Sequence, residues 1–483
     1  MSTKYLIQNA TIVSVDPRIG IKNNCDVSIE GEFIAAVGPG IPVSPEQIVI
    51  DGTDMIVSPG FVDTHRHAWQ TQTRTIAADF VLSDYAKVLR NVFGSCYTAE
   101  DAYLGNYCAA LECIDSGITS IIDHSHIMNS SQHADEVVRA WRDSNMRAIF
   151  CYGAYGNPAW TGSTLDNGRE TDNPDWRYED ARRVRQSHFK DNGTNQLVRF
   201  GFATSEPEMV PIETIASQIE LARDLGAAVI TSHIALGKWD IGLRTVRSLE
   251  SKGLLGSDLL FSHGSTLEDD ELKAISQREA GLSCTPDTEL QMGMGPPVGF
   301  KASDCGCKVG LGVDVCCSAP GDMFHQMRLL LQAHRHLEHE KTPGPPMKIA
   351  KKCEDALKLA TQGGADAIGL GEIVGSVTPG KRADILLKRC DSPRLVPVHD
   401  PVATLVLYAN ASDIDTVFIN GRVVKSAGKL QSVDWPSVRT RLRKSTADIH
   451  ERARLAPADE IEKAMSRMTE ALKVAVEKNK QRL

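Results

Sequence analysis

Near the start of the chain, Pro59 to His67 ("PGFVDTHRH") runs an apolar, β-prone segment into an acid and two histidines one residue apart. On a strand, side chains at i and i+2 share a face, so Asp63, His65 and His67 are expected to converge while Thr64 and Arg66 turn away. Two imidazoles on one face can share a metal ion. Similar endings recur downstream, where apolar runs close on Ser232-His233, on Ser262-His263 and on Gly312-Val313-Asp314. Three imidazoles (His65, His67, His233) and one carboxylate (Asp314) form an ordinary donor set for zinc or ferrous iron that leaves a position for water. His263 then supports that set or faces substrate. Unrelated structural roles would not place four histidines and an aspartate at the ends of four different strands.

Weaker signals surround these residues. His124 and His126, in "DHSH", repeat the i, i+2 spacing and read either as substrate contacts or as a hydrogen-bonded pair. Trp69 and Gln70 follow the metal motif and suit a planar, hydrogen-bonding ligand, although Trp69 fits barrel-end packing equally well. Tyr155, Trp160 and Trp176 lie in or beside a long loop and could close over a flat substrate. Cys316 and Cys317 read as packing, and His334, His336 and His339 as a solvated helix face.

Positioning these groups requires strands that end in one place. Eight apolar runs, "GFVDTHRH", "ITSIIDHSH", "RAIFCYGAY", "VRFGFATS", "AAVITSHIA", "DLLFSH", "AGLSCTP" and "VGLGVDVC", are separated by amphipathic helical stretches. Parallel βα units read this way, and eight of them point to a closed barrel with its site at the strands' C-terminal ends. A helix over Thr98 to Asp115 opens on a Thr98/Asp101 capping box, and one over Pro211 to Leu225 stops at Gly226. Gly156 to Trp176 has no period and is a candidate lid. Short alternating strands occupy residues 5–58, with a Glu30-Gly31-Glu32 turn, and return towards residue 432, with an Asn420-Gly421 hairpin signal. The expected division is 1–58 plus 376–432 as a composite β-sandwich, 59–375 as the barrel, and 433–483 as a charged helical extension.

Composition narrows the function classes. The chain has 483 residues, 42% hydrophobic and 24% charged, which excludes a disordered protein. A net charge of -9 argues against a nucleic-acid partner. No segment approaches the roughly 18 apolar residues of a membrane helix, and the N-terminus lacks the features of a secretion signal. A cytoplasmic protein with its 12 cysteines reduced is expected, and no Cys-x-x-Cys pair marks a structural zinc site.

Taken in order, the motifs make the chain from about residue 5 to 430 resemble the amidohydrolase superfamily, in the branch of the triazine chlorohydrolases and the adenosine-type, guanine and cytosine deaminases. The residues that carry the resemblance are "PGFVDTHRH", "SHIA" at His233, "SHGSTL" at His263, "LGVDVCCSAPGDMF" around Asp314 and "VGSVTPGKRADILL". The resemblance implies a distorted (β/α)8 barrel with a composite β-sandwich, and a homodimer or larger assembly. It also implies one divalent ion per chain, Zn2+ with Fe2+ as the alternative, on His65, His67, His233 and Asp314. No lysine ends the fourth strand, "FGFATSE", so a carbamylated lysine bridging a second metal is not expected.

The implied chemistry is attack by metal-activated hydroxide on a carbon–nitrogen bond, not a peptide bond, of a small cyclic nitrogenous compound. Asp314 would carry the proton and His263 would steady the developing charge. Many members place a glutamate three residues after the fifth-strand histidine, and here that position is Leu236, which cannot carry a proton. Glu289 and Glu206 are the candidates to replace it, weighed against a reading of both as solvated loop acids. The substrate-binding expectation is Trp69, Gln70, His126, Tyr155, Glu206 and His263. The alternatives are an amide, lactam or ester hydrolase, a non-hydrolytic lyase on the same metal site, and a non-enzymatic scaffold.

Overall fold

Alternating apolar and polar residues build the N-terminal strands β1 (Lys4–Val13), β2 (Ile21–Glu30), β3 (Phe33–Gly38), β4 (Gln47–Asp51) and β5 (Met55–Pro59) in the computed structural model, which describes residues 3–165, 176–466 and 470. β5 passes directly into the barrel through Gly60. A Cβ at that position would lie 2.0 Å from Thr119 Oγ1, so only glycine lets the chain enter in this register.

The barrel consists of β6 (Phe61–Arg66), β7 (Ile118–Ser125), β8 (Arg147–Gly153), β9 (Val198–Ala203), β10 (Ile230–Ile234), β11 (Leu259–His263), β12 (Gly281–Cys284) and β13 (Lys308–Leu311), closed in chain order. These are the eight runs read from the sequence. Strands β6, β7 and β8 are buried at every position, as parallel strands covered on both faces must be. The closing seam is thin: β13 pairs with β6 only at Leu311 and Asp63, supplemented by an Arg66–Asp314 bridge. That seam brings Asp314 against His65 of β6 and His67 just after it.

Helix α1 (Ala99–Asp115) carries the expected capping box, with Asp101 N donating to Thr98 Oγ1 at 3.2 Å and Thr98 N donating to Asp101 Oδ2 at 3.0 Å. Helix α2 (Ile212–Asp224) ends before Gly226, whose φ is +63°. The C-terminal strands β14 (Ile385–Arg389), β15 (Ile414–Ile419), β16 (Arg422–Ser426) and β17 (Lys429–Leu430) join the N-terminal ones in one nine-stranded sheet, ordered β17-β16-β15-β14-β5-β1-β2-β3 with β4 on β1. Asn420 and Gly421 both take positive φ, +51° and +75°, as their hairpin turn requires. Val27, Ile34, Leu387 and Phe418 meet in a core separate from that of the barrel.

A buried ion pair ties the two together: Arg147 on β8 meets Asp384 through bonds of 3.0 and 2.9 Å. Beyond the sheet, α3 (Trp435–Ala453) packs on α1. No helix among the described residues is long and apolar enough to cross a membrane.

Candidate active site

At the C-terminal mouth of the barrel, Nε2 of His65 and Nε2 of His67 each lie 3.3 Å from Asp314 Oδ1, and His233 Nε2 lies 3.1 Å from His65 Nε2. Asp314 and His263 adopt left-handed backbone conformations, with φ of +64° and +75°. Such conformations cost about 1–3 kcal/mol each in a non-glycine residue and persist where neighbours impose them. For Asp314 the neighbours are β6 and the residue just after it: its N–H donates to His65 O at 2.8 Å, and His67 N–H donates to Asp314 O at 2.9 Å.

Each of the three imidazoles has its second nitrogen engaged by oxygen. His65 Nδ1 meets Ser262 Oγ at 2.8 Å, His67 Nδ1 meets the His124 carbonyl at 2.8 Å, and His233 Nδ1 meets both Glu206 oxygens at 2.9 and 3.0 Å. A carbonyl and a carboxylate only accept, so Nδ1 of His67 and of His233 holds the proton and Nε2 turns a lone pair inward. Donors sharing one tetrahedral ion at about 2.0–2.1 Å stand about 3.3 Å apart; the His65–Asp314, His67–Asp314 and His65–His233 separations meet that spacing, and the donor atoms gather in two groups that share His65, one with His67 and Asp314 and one with His233 and His263. Lone pairs and an anionic oxygen crowded this closely repel one another unless a cation lies among them, so the residues fit a single divalent ion. His263 stands beside the set, its donor atom within 4.8 Å of those of His65 and His233. Its Nδ1 meets Thr285 Oγ1 at 2.9 Å, with Glu289 Oε1 at 3.8 Å.

The electrostatics agree. Burial holds His65 down at about 4 and takes His67 well below its usual range, which keeps both neutral and able to ligate. Burial would raise Asp314, but the imidazoles of His65, His263 and His67 beside it outweigh that effect and hold the carboxyl below the usual carboxylate range. At His263 burial is outweighed by Glu289 and Asp314, which raise it. At Glu206 it is outweighed by His233, which brings the carboxyl down to about 2.

Above these donors opens a cavity of about 610 Å³. Its walls are mostly apolar, with Met209, Leu236, Trp239, Met292 and Met294 prominent. His126, Tyr155, Glu206 and His263 reach it as expected. Other expectations need correction. Asp63 does not converge with the histidines; its Oδ1 accepts from Val313 N at 3.0 Å and fixes the β6–β13 seam, while burial lifts its carboxyl to about 7.

Trp69 and Gln70 lie behind the cavity wall, because the 3-10 turn Ala68–Thr73 carries the chain back into the scaffold. Trp69 Nε1 donates to His126 Nδ1 at 3.0 Å, and Gln70 Nε2 donates to Tyr85 Oη at 2.6 Å, so both position residues that do face the cavity. Glu289 is neither a solvated loop acid nor a cavity acid: the helix Pro286–Gln291 buries it, and its Oε1 accepts from Thr285 N at 2.7 Å. His124 and His126 do not bond to each other; His124 Nε2 pairs with Tyr155 Oη at 2.9 Å, and its ring stacks on His233 at 4.3 Å. Trp160 and Trp176 are buried in the scaffold, with Trp160 Nε1 donating to Asn91 O at 3.1 Å. Of the candidate lid, residues 166–175 lie outside the described residues.

Sequence reasoning missed several wall residues. Tyr85 and Arg90 come from the excursion after β6, and Ala464 from the C-terminal segment. That segment is held by Glu460 Oε2, which accepts from Thr161 N at 3.0 Å, and by an ion pair between Lys87 and Glu462. No sequence signal marked these residues. Glu208, two residues after Glu206, also lines the cavity, and its repeat of an acid past the fourth strand was a readable sign.

Comparison with known proteins places this geometry. The Amidohydrolase family model matches residues 56–424. A 5-methylthioadenosine/S-adenosylhomocysteine deaminase of Pelotomaculum thermopropionicum is 30% identical over 441 residues, covering 89% of this chain and 95% of its own. A 5'-deoxyadenosine deaminase of Methanosarcina mazei is 27% identical, covering 92% of this chain and 98% of its own. Among solved structures, a zinc-bound adenosine deaminase of Xanthomonas campestris superposes with a TM-score of 0.81 at 20% identity, over 93% of this chain and 99% of that one. An atrazine chlorohydrolase of Arthrobacter aurescens, in complex with zinc and atraton, superposes at 0.77 and 20% identity, over 92% of this chain and 100% of that one. The chain therefore belongs to the amidohydrolase family and is a metal-dependent hydrolase acting on carbon–nitrogen bonds.

Proposed function

We propose that this protein is a hydrolytic deaminase that exchanges the exocyclic amino group of a purine-type ring for oxygen, in a single-Zn2+ site held by His65, His67, His233 and Asp314. One observation carries the reading: donor separations of 3.1 to 3.3 Å link His65, His67, His233 and Asp314, and the last three of these line a largely apolar cavity. The relatives named as deaminases of 5-methylthioadenosine, S-adenosylhomocysteine and 5'-deoxyadenosine supply the substrate class, an aminated purine on a sugar.

A divalent cation at this floor would supply the Lewis acidity that makes water a nucleophile near neutral pH. The chain's own groups do the rest. Asp314 accepts a proton from the attacking water and passes it to the departing amine, which leaves as ammonia. His263, held by Thr285 and backed by Glu289, donates to the oxygen on which charge builds. Tyr155 and His126 border the ring's space, and Glu206 keeps the His233 imidazole oriented. Glu289 is on this reading a positioning residue. We further place the division at 1–58 with 376–432, 59–375 and 433–483, and the protein in the cytoplasm as a homodimer or larger.

Ammonia release from zinc-loaded protein with adenosine, 5'-deoxyadenosine and 5-methylthioadenosine tests the reading, beside a pterin, a triazine and a lactam. Ammonia from an aminopurine nucleoside is expected. The second reading, amide, lactam or ester hydrolysis, rests on Leu236, whose apolar side chain borders the cavity where an acid is usual. Turnover of the lactam with no ammonia from any aminopurine would replace the first reading by the second.

A further inference from the structure

We propose that Glu208 is the acid that donates a proton to the substrate's ring nitrogen, in place of the residue missing at Leu236. This rests on the deaminase reading. Among the described residues, the carboxyl groups that line the cavity are Asp314, Glu206 and Glu208. Asp314 Oδ1 faces His65 and His67, and both oxygens of Glu206 are taken by His233 Nδ1. Glu289 does not line the cavity at all; its Oε1 is tied to the backbone of Thr285. Glu208 is the one left over.

Two features mark Glu208 as more than a wall residue. Although the residue as a whole is half-buried, its Oε2 is cut off from solvent and has no hydrogen-bond partner among the described residues. Buried polar atoms in native proteins are almost always paired, so this closed-off, unpaired oxygen disfavours the ionised carboxylate, while the part of the half-buried side chain that is not closed off lines the cavity. The charged groups around Glu208 are Glu206 on its own loop, Asp240 on the turn after β10, and Arg90 across the cavity. Burial first, then repulsion by Glu206 and Asp240, lifts its carboxyl to about 8, so it carries a proton to give at neutral pH.

In the addition step the water oxygen bonds to the ring carbon, the carbon–nitrogen π pair moves onto the ring nitrogen, and that nitrogen takes the Glu208 proton. One water proton goes through Asp314 to the amino group, the bond to that group breaks, and ammonia leaves with the bonding pair. The second water proton, left on the new oxygen, returns to Glu208 as the ring carbonyl forms. The products are the oxo ring, protonated on nitrogen, and ammonia, with Glu208 restored.

The test uses the full-length zinc-loaded chain and an aminopurine nucleoside that the wild type turns over, with 5'-deoxyadenosine tried first. Glu208→Gln should keep one zinc per chain and a KM within about threefold, while kcat falls about 100-fold or more, the usual scale for a lost proton donor. The fall of kcat at alkaline pH should disappear in that variant, and Glu208→Asp should recover part of the rate. Activity of Glu208→Gln within fivefold of wild type, an unchanged alkaline limb, or loss of zinc together with activity would each overturn the proposal. If the wild type deaminates none of the aminopurines, the deaminase reading fails and takes this one with it. An active wild type beside an unaffected Glu208→Gln removes this proposal alone.

Discussion

Replacing Glu206 should weaken metal binding by an amount that depends on what remains to accept from His233. In the native site both carboxylate oxygens stand 2.9 and 3.0 Å from Nδ1, fixing the proton there and the lone pair on Nε2. Removing such a partner generally lowers metal affinity about 10- to 100-fold, or about 1.4–2.7 kcal/mol. Glu206→Gln keeps one neutral acceptor oxygen of the same reach and belongs near the tenfold end. Glu206→Ala leaves Nδ1 unpaired in a buried position and belongs near the hundredfold end. Zinc affinity is read by competition with a calibrated chelator at fixed pH, which does not depend on turnover. Affinities of both variants within twofold of wild type would refute the idea that this carboxylate orients a ligand. A larger loss for Gln than for Ala would refute the role of the retained acceptor.

Other outcomes follow from the same structure. Arg147→Ala would leave Asp384 without its cation between barrel and sheet, with the Asn420 N–H still donating to it, at a cost of about 3–5 kcal/mol; denaturant unfolding should show it, and a change below about 1 kcal/mol would contradict the pairing. Burial pushes the Lys388 ammonium down to about 7, with Ser58 as its hydroxyl partner. Because the unfolded chain holds that proton up to about pH 10 and the folded chain releases it near 7, wild-type stability gains from this group as pH rises across the interval. Lys388→Met should therefore be more stable than wild type near pH 6.5, by a few kcal/mol at most, with the gap closing towards pH 9.5; a gap independent of pH would refute the assignment. Deleting residues 457–483 removes Ala464 from the cavity wall. Loss of that apolar contact, about 1 kcal/mol, should raise KM roughly fivefold with zinc content unchanged, and an unaltered KM would remove the segment from the substrate site.

Much of the frame was legible because it rests on short-range pattern. The eight strand runs, the Thr98/Asp101 cap, the stop at Gly226 and the turn at Asn420-Gly421 each follow from local periodicity or backbone preference. The convergence of His65, His67, His233 and Asp314 was readable because a parallel barrel brings all strand ends to one mouth. What the sequence could not show was decided by tertiary direction. Trp69 and Gln70 sit beside the metal motif, yet a tight turn folds them into the scaffold. Asp63 has the right spacing but spends its carboxylate on the β6–β13 seam. Glu289 lies at the right strand end, and its helix turns it away from the cavity. Arg90 and Ala464 enter the wall from segments with no chemical motif, which only the assembled fold brings to the site.

The position of the bound ion is the most direct test of the site. Crystals of protein expressed with ample zinc, measured on both sides of the zinc absorption edge, should give one anomalous peak per chain, bonded to Nε2 of His65, His67 and His233 and to a carboxylate oxygen of Asp314. A peak bonded elsewhere, or no peak in protein produced under those conditions, would contradict it.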